Sequence, residues 1–184
     1  MGKVVVISFV TLDGVVEDPD GSGGTAFGGW AFRFGPEAVA GDKFRLGSVL
    51  ERGVLLFGRR TWEQFSRLWP ARTDPFSTAM NQARKAVVTR GDPDLSAWSG
   101  STVLDGDLLD GVARLAQERD VVVVGSTSVV RELEAAGAVD EYRLLTFPTV
   151  VGDGARLFTR PTDLELVSVD AIGPATLVTY AASR

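Results

Sequence analysis

Two glycine-led segments follow directly on short apolar runs, and both are suited to holding a phosphate. Gly58-Arg59-Arg60-Thr61-Trp62 follows Val54 to Phe57, and Gly125-Ser126-Thr127 follows the four valines Val121 to Val124. Glycine lets the backbone turn tightly from strand into helix. The first N–H groups of that helix have no partner within it, so they face an incoming anion. Arg59 and Arg60 add charge at the first of these turns. The plainer alternatives are a turn with solvated arginines at Gly58 and an ordinary N-cap by Ser126 or Thr127 at Gly125.

A third apolar run, Ala86 to Val88, ends in Thr89-Arg90. If the three runs are parallel strands of one sheet, their carboxyl ends share an edge, where ligands of open α/β sheets bind. Two phosphate-seeking turns on one edge suit a dinucleotide. Arg59 with Arg90 would then form an arginine pair fit for the 2′-phosphate that distinguishes NADPH from NADH. An exposed loop arginine is the competing account of Arg90.

The elements that must position these residues follow from periodicity. Val4 to Val10, Val54 to Phe57, Ala86 to Thr89, Val121 to Val124 and Tyr142 to Phe147 are rich in β-branched residues and read as buried strands. Between them, Glu37 to Glu51, Asp107 to Glu118 and Ser126 to Ala136 carry apolar residues at helical spacing. Strands alternating with helices imply crossovers and a largely parallel sheet. Leu164 to Val169 and Ala175 to Ala181, divided by Ile172-Gly173-Pro174, read as an antiparallel hairpin closing one edge. The chain of 184 residues, with no low-complexity linker, predicts a single α/β domain.

Gly21-Ser22-Gly23-Gly24-Thr25-Ala26 fits the G-x-G-x-x-A dinucleotide fingerprint, with Asp42 about 20 residues on. Its context is wrong. Glu17-Asp18-Pro19-Asp20 precedes it instead of a strand, and Gly28, Gly29 and Pro36 forbid the long helix that must follow. The stretch from Asp18 to Gly29 is expected to be a mobile loop near the substrate.

Composition narrows the chemistry. The chain has no cysteine and no histidine, which excludes disulfides, thiolate nucleophiles, Ser-His-Asp triads and zinc sites built on imidazole or thiolate; no metal is expected. Proton transfer falls to Asp, Glu, Lys or Tyr, and harder chemistry to a cofactor. A formal net charge of −5 offers no broad basic field for nucleic acid. The first ten residues are apolar but meet Asp13 too soon for a signal peptide or a membrane span, so a cytoplasmic protein with no membrane partner is expected.

Taken together, Thr11-Leu12-Asp13-Gly14, Leu55 to Trp62, Val124-Gly125-Ser126, Val139 to Leu145 and Phe147 to Gly154 resemble the dihydrofolate reductase superfamily. More narrowly they are similar to its branch related to the C-terminal reductase domain of bifunctional riboflavin-biosynthesis enzymes. The resemblance spans nearly the whole chain and keeps the motif order. It implies a three-layer α/β/α fold with a mostly parallel central sheet and an antiparallel C-terminal hairpin, and NADPH as cofactor. Carried over by position, Gly58, Arg59 and Thr61 would face the cofactor's phosphates and adenosine half. Thr89 and Arg90 would flank the adenosine ribose, and Gly125, Ser126 and Thr127 would touch the pyrophosphate. Val16 would lie near the nicotinamide, as would Ser8 and Phe9, which with Asp13 and Thr146 are the candidates to meet the substrate.

The resemblance also implies a proton donor, a carboxylic acid on the helix preceding the Gly58 turn. Counting back from Gly58 without gaps reaches Asp42, expected to start a helix and to be buried enough to act as general acid. Asp13 is the other candidate. Dihydrofolate reductases usually carry a second glycine at position 126, often after a cis peptide, and the riboflavin-type enzymes usually have a glycine-rich turn in place of Arg59-Arg60. Three functions stay open. They are an NADPH-dependent reductase of a small heterocycle, most like 5-amino-6-(5-phosphoribosylamino)uracil reductase; dihydrofolate reductase itself; and a non-catalytic dimeric NADPH-binding protein. A homodimer is expected by analogy with relatives.

Overall fold

A computed structural model of the chain describes residues 1–183. Its strands are β1 (Val4–Thr11), β2 (Val54–Gly58), β3 (Arg84–Val88), β4 (Ser101–Val103), β5 (Val121–Gly125), β6 (Glu141–Phe147), β7 (Leu164–Ile172) and β8 (Ala175–Ala182). Its α-helices are α1 (Val49–Arg52), α2 (Arg59–Leu68), α3 (Pro75–Gln82), α4 (Leu108–Glu118) and α5 (Thr127–Ala135). The strand order is β4-β3-β2-β5-β1-β6-β8-β7. β1, β2, β3, β4 and β5 pair in parallel, while β8 pairs antiparallel with both β6 and β7. This is the expected fold class, a mostly parallel sheet with an antiparallel C-terminal hairpin and helices packed around it.

The chain divides into two compact units, Met1–Val6 with Leu46–Asp140 and Ile7–Arg45 with Glu141–Arg184. In the first, the apolar residues Val4 to Val6 of β1, Val54 to Phe57 of β2 and Val121 to Val123 of β5 are buried, as strands covered on both faces must be. α4 turns Leu108 and Val112 inward, and α5 turns Val129, Val130 and Leu133 inward. α3 begins at Asp74-Pro75, with the Asp74 carboxylate accepting from the Ser77 N–H and hydroxyl. Neither α3 nor β4 was expected from periodicity. α3 carries few apolar residues, and three residues of β4 are too short to show an alternation.

β3 buries Lys85, which is 1% exposed. Its ammonium donates to the carbonyls of Asn81, Ala83 and Ser99 at 3.0, 2.7 and 3.0 Å and sits 4.4 Å from the centre of the Trp98 ring. Burial pushes the Lys85 pKa down to about 8. Polar satisfaction by three carbonyls is what makes a buried lysine tolerable.

The second unit packs Trp30, Ala31, Ala38, Leu145, Phe147, Ala175 and Leu177 into its core. Phe147 takes the edges of Phe9 and Trp30 at 5.4 and 5.8 Å. One expectation fails here. The helix expected from Glu37 to Glu51 is replaced by a 3-10 turn at Pro36–Ala38, an irregular stretch and the single-turn α1. Gly41, Arg45 and Gly47 have φ of 77°, 52° and 49°, which no α-helix accommodates. The apolar spacing was therefore a coincidence of turns.

One carboxylate gathers the glycine-rich stretch. Asp18 accepts from the Gly23 N–H (2.7 Å), the Thr25 N–H (2.9 Å) and the Thr25 hydroxyl (2.7 Å). Burial opposes ionisation of this carboxyl, but the Thr25 and Gly23 hydrogen bonds outweigh it and hold the pKa below its ordinary value. Turns, not a helix, follow Gly24, so the fingerprint at Gly21 is a coincidence, as its context implied.

Candidate functional site

In the first unit, β2 lies between β3 and β5, so the turns at Gly58 and Gly125 are neighbours along one edge. Gly58 pairs with Val88 across one ladder, and Phe57 with Gly125 across the other. The approach is close. A Cβ on Gly58 would stand 2.6 Å from Ser126 Oγ and 3.1 Å from the Ser126 nitrogen, so only glycine leaves that space. Gly125 has φ 144°, in the region reserved for glycine, and a Cβ there would stand 3.3 Å from Thr61 Oγ1. The Gly125–Ser126 peptide is cis. Gly58, Thr61, Gly125 and Ser126 thus form one cluster, as their order predicted.

Of the four helices with eight or more residues among the described residues, α3 and α4 are capped by the carboxylates of Asp74 and Asp107. α2 and α5 begin at Gly58 and Ser126 with no side-chain cap and no acid in the first turn. Ser126 Oγ is 2.8 Å from Ser128 Oγ instead of capping its own helix. The helix ends expected to meet phosphate are the two that no side chain occupies. With no acid in either first turn, their positive ends stay available to an anion.

Thr89 lies one residue beyond β3 and accepts the Gly91 N–H at 3.1 Å through Oγ1. A Cβ on Gly91 would be 3.9 Å from that hydroxyl and 4.0 Å from Arg59 Nη1, which places the Arg59 guanidinium at the Thr89–Gly91 loop. Arg90 is exposed on the same loop, and Thr127, half-buried, opens α5. Arg59 has a partner that sequence reasoning passed over, Glu63, at 3.5 Å from Nε. The i,i+4 spacing on α2 was the available signal.

The remaining candidates lie in the second unit. Ser8 and Phe9 are half-buried on a strand whose other residues are buried, and Phe9 stacks on Phe44 at 5.5 Å and 20°. Thr146 is half-buried on β6 opposite Thr176 of β8. Val16 donates its N–H to the Ala155 carbonyl at 2.9 Å. Phe44 escaped attention because its expected helix would have turned it into a stripe of core residues.

Asp13 is a tie. Its carboxylate accepts the Thr11 hydroxyl at 2.6 Å, the Gly152 N–H at 2.8 Å and the Val151 N–H at 3.3 Å. The Thr11 hydroxyl first, then the Gly152 N–H, lower its pKa, so it is an anion at neutral pH and a poor proton donor. Asp42 does not open a helix. It is half-buried in a turn, its carbonyl accepting the Arg45 N–H at 3.2 Å. Arg143, paired to Glu141 at 2.7 Å, holds the following segment by donating to the Phe44 and Arg45 carbonyls at 3.0 and 2.8 Å.

Among the described residues, no helix is long and apolar enough to cross a membrane, and no cluster of three or more His, Cys, Asp or Glu side chains is placed to hold a metal.

Comparison with known proteins agrees with the fold. The chain is 27% identical to the uncharacterized protein YwjB of Bacillus subtilis, with 97% of each chain covered. It is 23% identical to the uncharacterized protein YyaP of the same organism, over 85% of this chain and 80% of that one. Among solved structures, it superposes on a Shewanella sp. PV-4 protein provisionally assigned to riboflavin biosynthesis with TM-score 0.73 at 18% identity, covering all of both chains. A pyrimidine reductase-like protein of Corynebacterium diphtheriae gives 0.63 at 12% identity, covering 100% of this chain and 92% of that one. Acinetobacter baumannii RibD gives 0.64 at 16% identity, with all of this chain matched to 59% of that protein. Residues 2–178 match the RibD C-terminal domain, and the chain belongs to that family.

Proposed function

We propose that this chain is an NADPH-dependent reductase of a small heterocycle, with 5-amino-6-(5-phosphoribosylamino)uracil or a close pyrimidine relative as substrate, acting in the cytoplasm. One observation carries the cofactor half: the cluster of Gly58, Thr61, Gly125 and Ser126 at the uncapped starts of α2 and α5. Two adjacent helix ends without capping carboxylates suit a pyrophosphate, and Arg59 with Arg90 beside Thr89 suits a 2′-phosphate. The residues fit the cofactor, which would supply the hydride. The chain's own part is to hold and orient it, while Ser8, Phe9 and Thr146 are the proposed substrate contacts. Membership of the RibD C-terminal family and the pyrimidine reductase-like neighbour support the substrate class.

A second reading, a binding protein without turnover, is favoured by one observation. Asp13 is held as an anion, and Asp42 does not stand on the helix expected to carry the donor. A dimer belongs to the proposal too. The terminal strand β7 exposes Leu166, Val167 and Val169, and a second copy running antiparallel along it is the partner such an edge accepts. Light scattering on the purified chain tests this, and a monomer at micromolar concentration rejects it.

Thermal unfolding with NADPH and NADH, followed by absorbance of the nicotinamide on adding the pyrimidine, separates the two readings. Stabilisation by NADPH of about 3 kcal/mol at a hundredfold excess over Kd is expected, with oxidation of the cofactor when substrate is present. Stabilisation without turnover selects the binding protein. No shift with either dinucleotide rejects both.

A further inference from the structure

We infer that Glu63 is a specificity-determining residue of the dinucleotide site, its charge limiting how strongly a 2′-phosphate is preferred over a 2′-hydroxyl. The inference rests on the NADPH reading above and deepens it.

α2 sets Arg59 in its first turn and Glu63 one turn later on the same face, with Nε 3.5 Å from Oε1. Both side chains are partly open to solvent, 55% and 42% exposed. Because Nε faces Glu63, the outer fork of the guanidinium is left for a ligand. Nη1 already lies at the Thr89–Gly91 loop, 4.0 Å from where a Cβ on Gly91 would be. An Arg fork is the group best matched to phosphate oxygens.

Glu63 therefore acts on Arg59 in two opposed ways. It steadies the guanidinium, but an exposed pair of this kind is weak, and arginine preceding glutamate is the less favourable order on a helix. It also sets a negative charge beside the position a 2′-phosphate would take, and α2 has no acid in its first turn to repel that group otherwise. For a dianion held on the far side of the Arg59 fork in a solvated setting, Coulomb's law makes the repulsion worth on the order of a three- to tenfold change in affinity. The charge effect outweighs the steadying effect. NADH, with no phosphate at that position, escapes it.

Glu63→Gln separates the two effects, because the amide oxygen can still face Arg59 Nε while the charge is gone. Dissociation constants of NADPH and NADH for the full chain, measured by calorimetry, give the ratio. In the glutamine variant NADPH should bind about three- to tenfold tighter and NADH as before, with the gain shrinking at high salt. Glu63→Ala should move the ratio the same way by less. The melting temperature without ligand should match the wild type in both. An unchanged or narrowed ratio in Glu63→Gln, with NADPH still bound by the wild type, overturns this inference alone. Binding of neither dinucleotide by the wild type overturns the site reading and this inference with it.

Discussion

Gly58 stands against Ser126 so closely that a single added carbon would lie 2.6 Å from the serine hydroxyl and 3.1 Å from its backbone nitrogen. The contact joins the carboxyl ends of two neighbouring parallel strands at the residues where both helices begin. The two turns need their glycines for different reasons. At Gly125 the backbone angle requires it, whereas at Gly58, with φ −69°, only the lack of space does.

Gly58→Ala should therefore destabilise the fold by about 1–3 kcal/mol through overpacking, with no penalty from backbone conformation. Ser126→Gly in the same chain should return part of that loss by freeing the space. Chemical denaturation of the wild type, the two single variants and the double variant measures the coupling, and strict additivity would show that the two residues do not press on one another.

The turns were legible because each announces itself twice, by a short apolar run and by a glycine with polar residues after it. A shared edge followed from reading the strands as parallel, whereas the adjacency of β2 and β5 is visible only in the folded sheet. The 37–51 segment was not legible. Val39, Phe44, Leu46 and Leu50 fall at near-helical spacing, but they are brought inward by turns at Gly41, Arg45 and Gly47, and spacing cannot distinguish the two. Lys85 was hidden for a different reason. A lysine in a strand is ordinarily exposed, and the three carbonyls that satisfy this one come from residues 81, 83 and 99, whose meeting only tertiary structure reveals.

Arg59→Ala and Arg90→Ala should each narrow the preference for NADPH over NADH, because each removes a cation available to the 2′-phosphate and nothing the 2′-hydroxyl needs. Arg59, placed at the Thr89–Gly91 loop, should matter more, costing about 1.5–3 kcal/mol as a charge-assisted contact. Titration of both dinucleotides against each variant decides this. An unchanged ratio in the double variant would place the 2′-phosphate elsewhere.

Lys85 gives the chain a pH dependence in the alkaline range. Burial holds its pKa near 8 in the folded state, while the unfolded chain keeps the proton up to the ordinary value of 10.5. Between those values the unfolded state binds more protons, so stability contributed by this residue rises with pH, by up to about 3 kcal/mol. Lys85→Met removes the rise and strands three carbonyls, so it should be less stable than wild type, increasingly so from pH 8 to 10.5. Urea denaturation across that range tests the slope, and a constant difference between the two proteins would mean that Lys85 keeps its proton when buried.

Asp13 acts at the opposite end of the pH scale. Its pKa is depressed by the Thr11 hydroxyl and the Gly152 N–H, so its contribution is complete above the ordinary carboxylate value of about 3.9 and is lost as pH falls through the lower folded value. Asp13→Asn should remove that acid-limb contribution, and the gap between the two proteins should close as pH drops below about 4. The substitution also weakens the tie between the Thr11–Val15 turn and the Val151–Gly152 loop, so the Gly152 amide should exchange its hydrogen faster at neutral pH. Turnover supplies the remaining discrimination. A carboxylate that only ties two loops leaves the pH profile of the reaction in place when replaced by asparagine. A proton donor takes the ionisation out of the profile. Retention of the profile, together with faster Gly152 exchange, is the expected pair of results, and loss of the ionisation with unchanged exchange would return Asp13 to the chemistry.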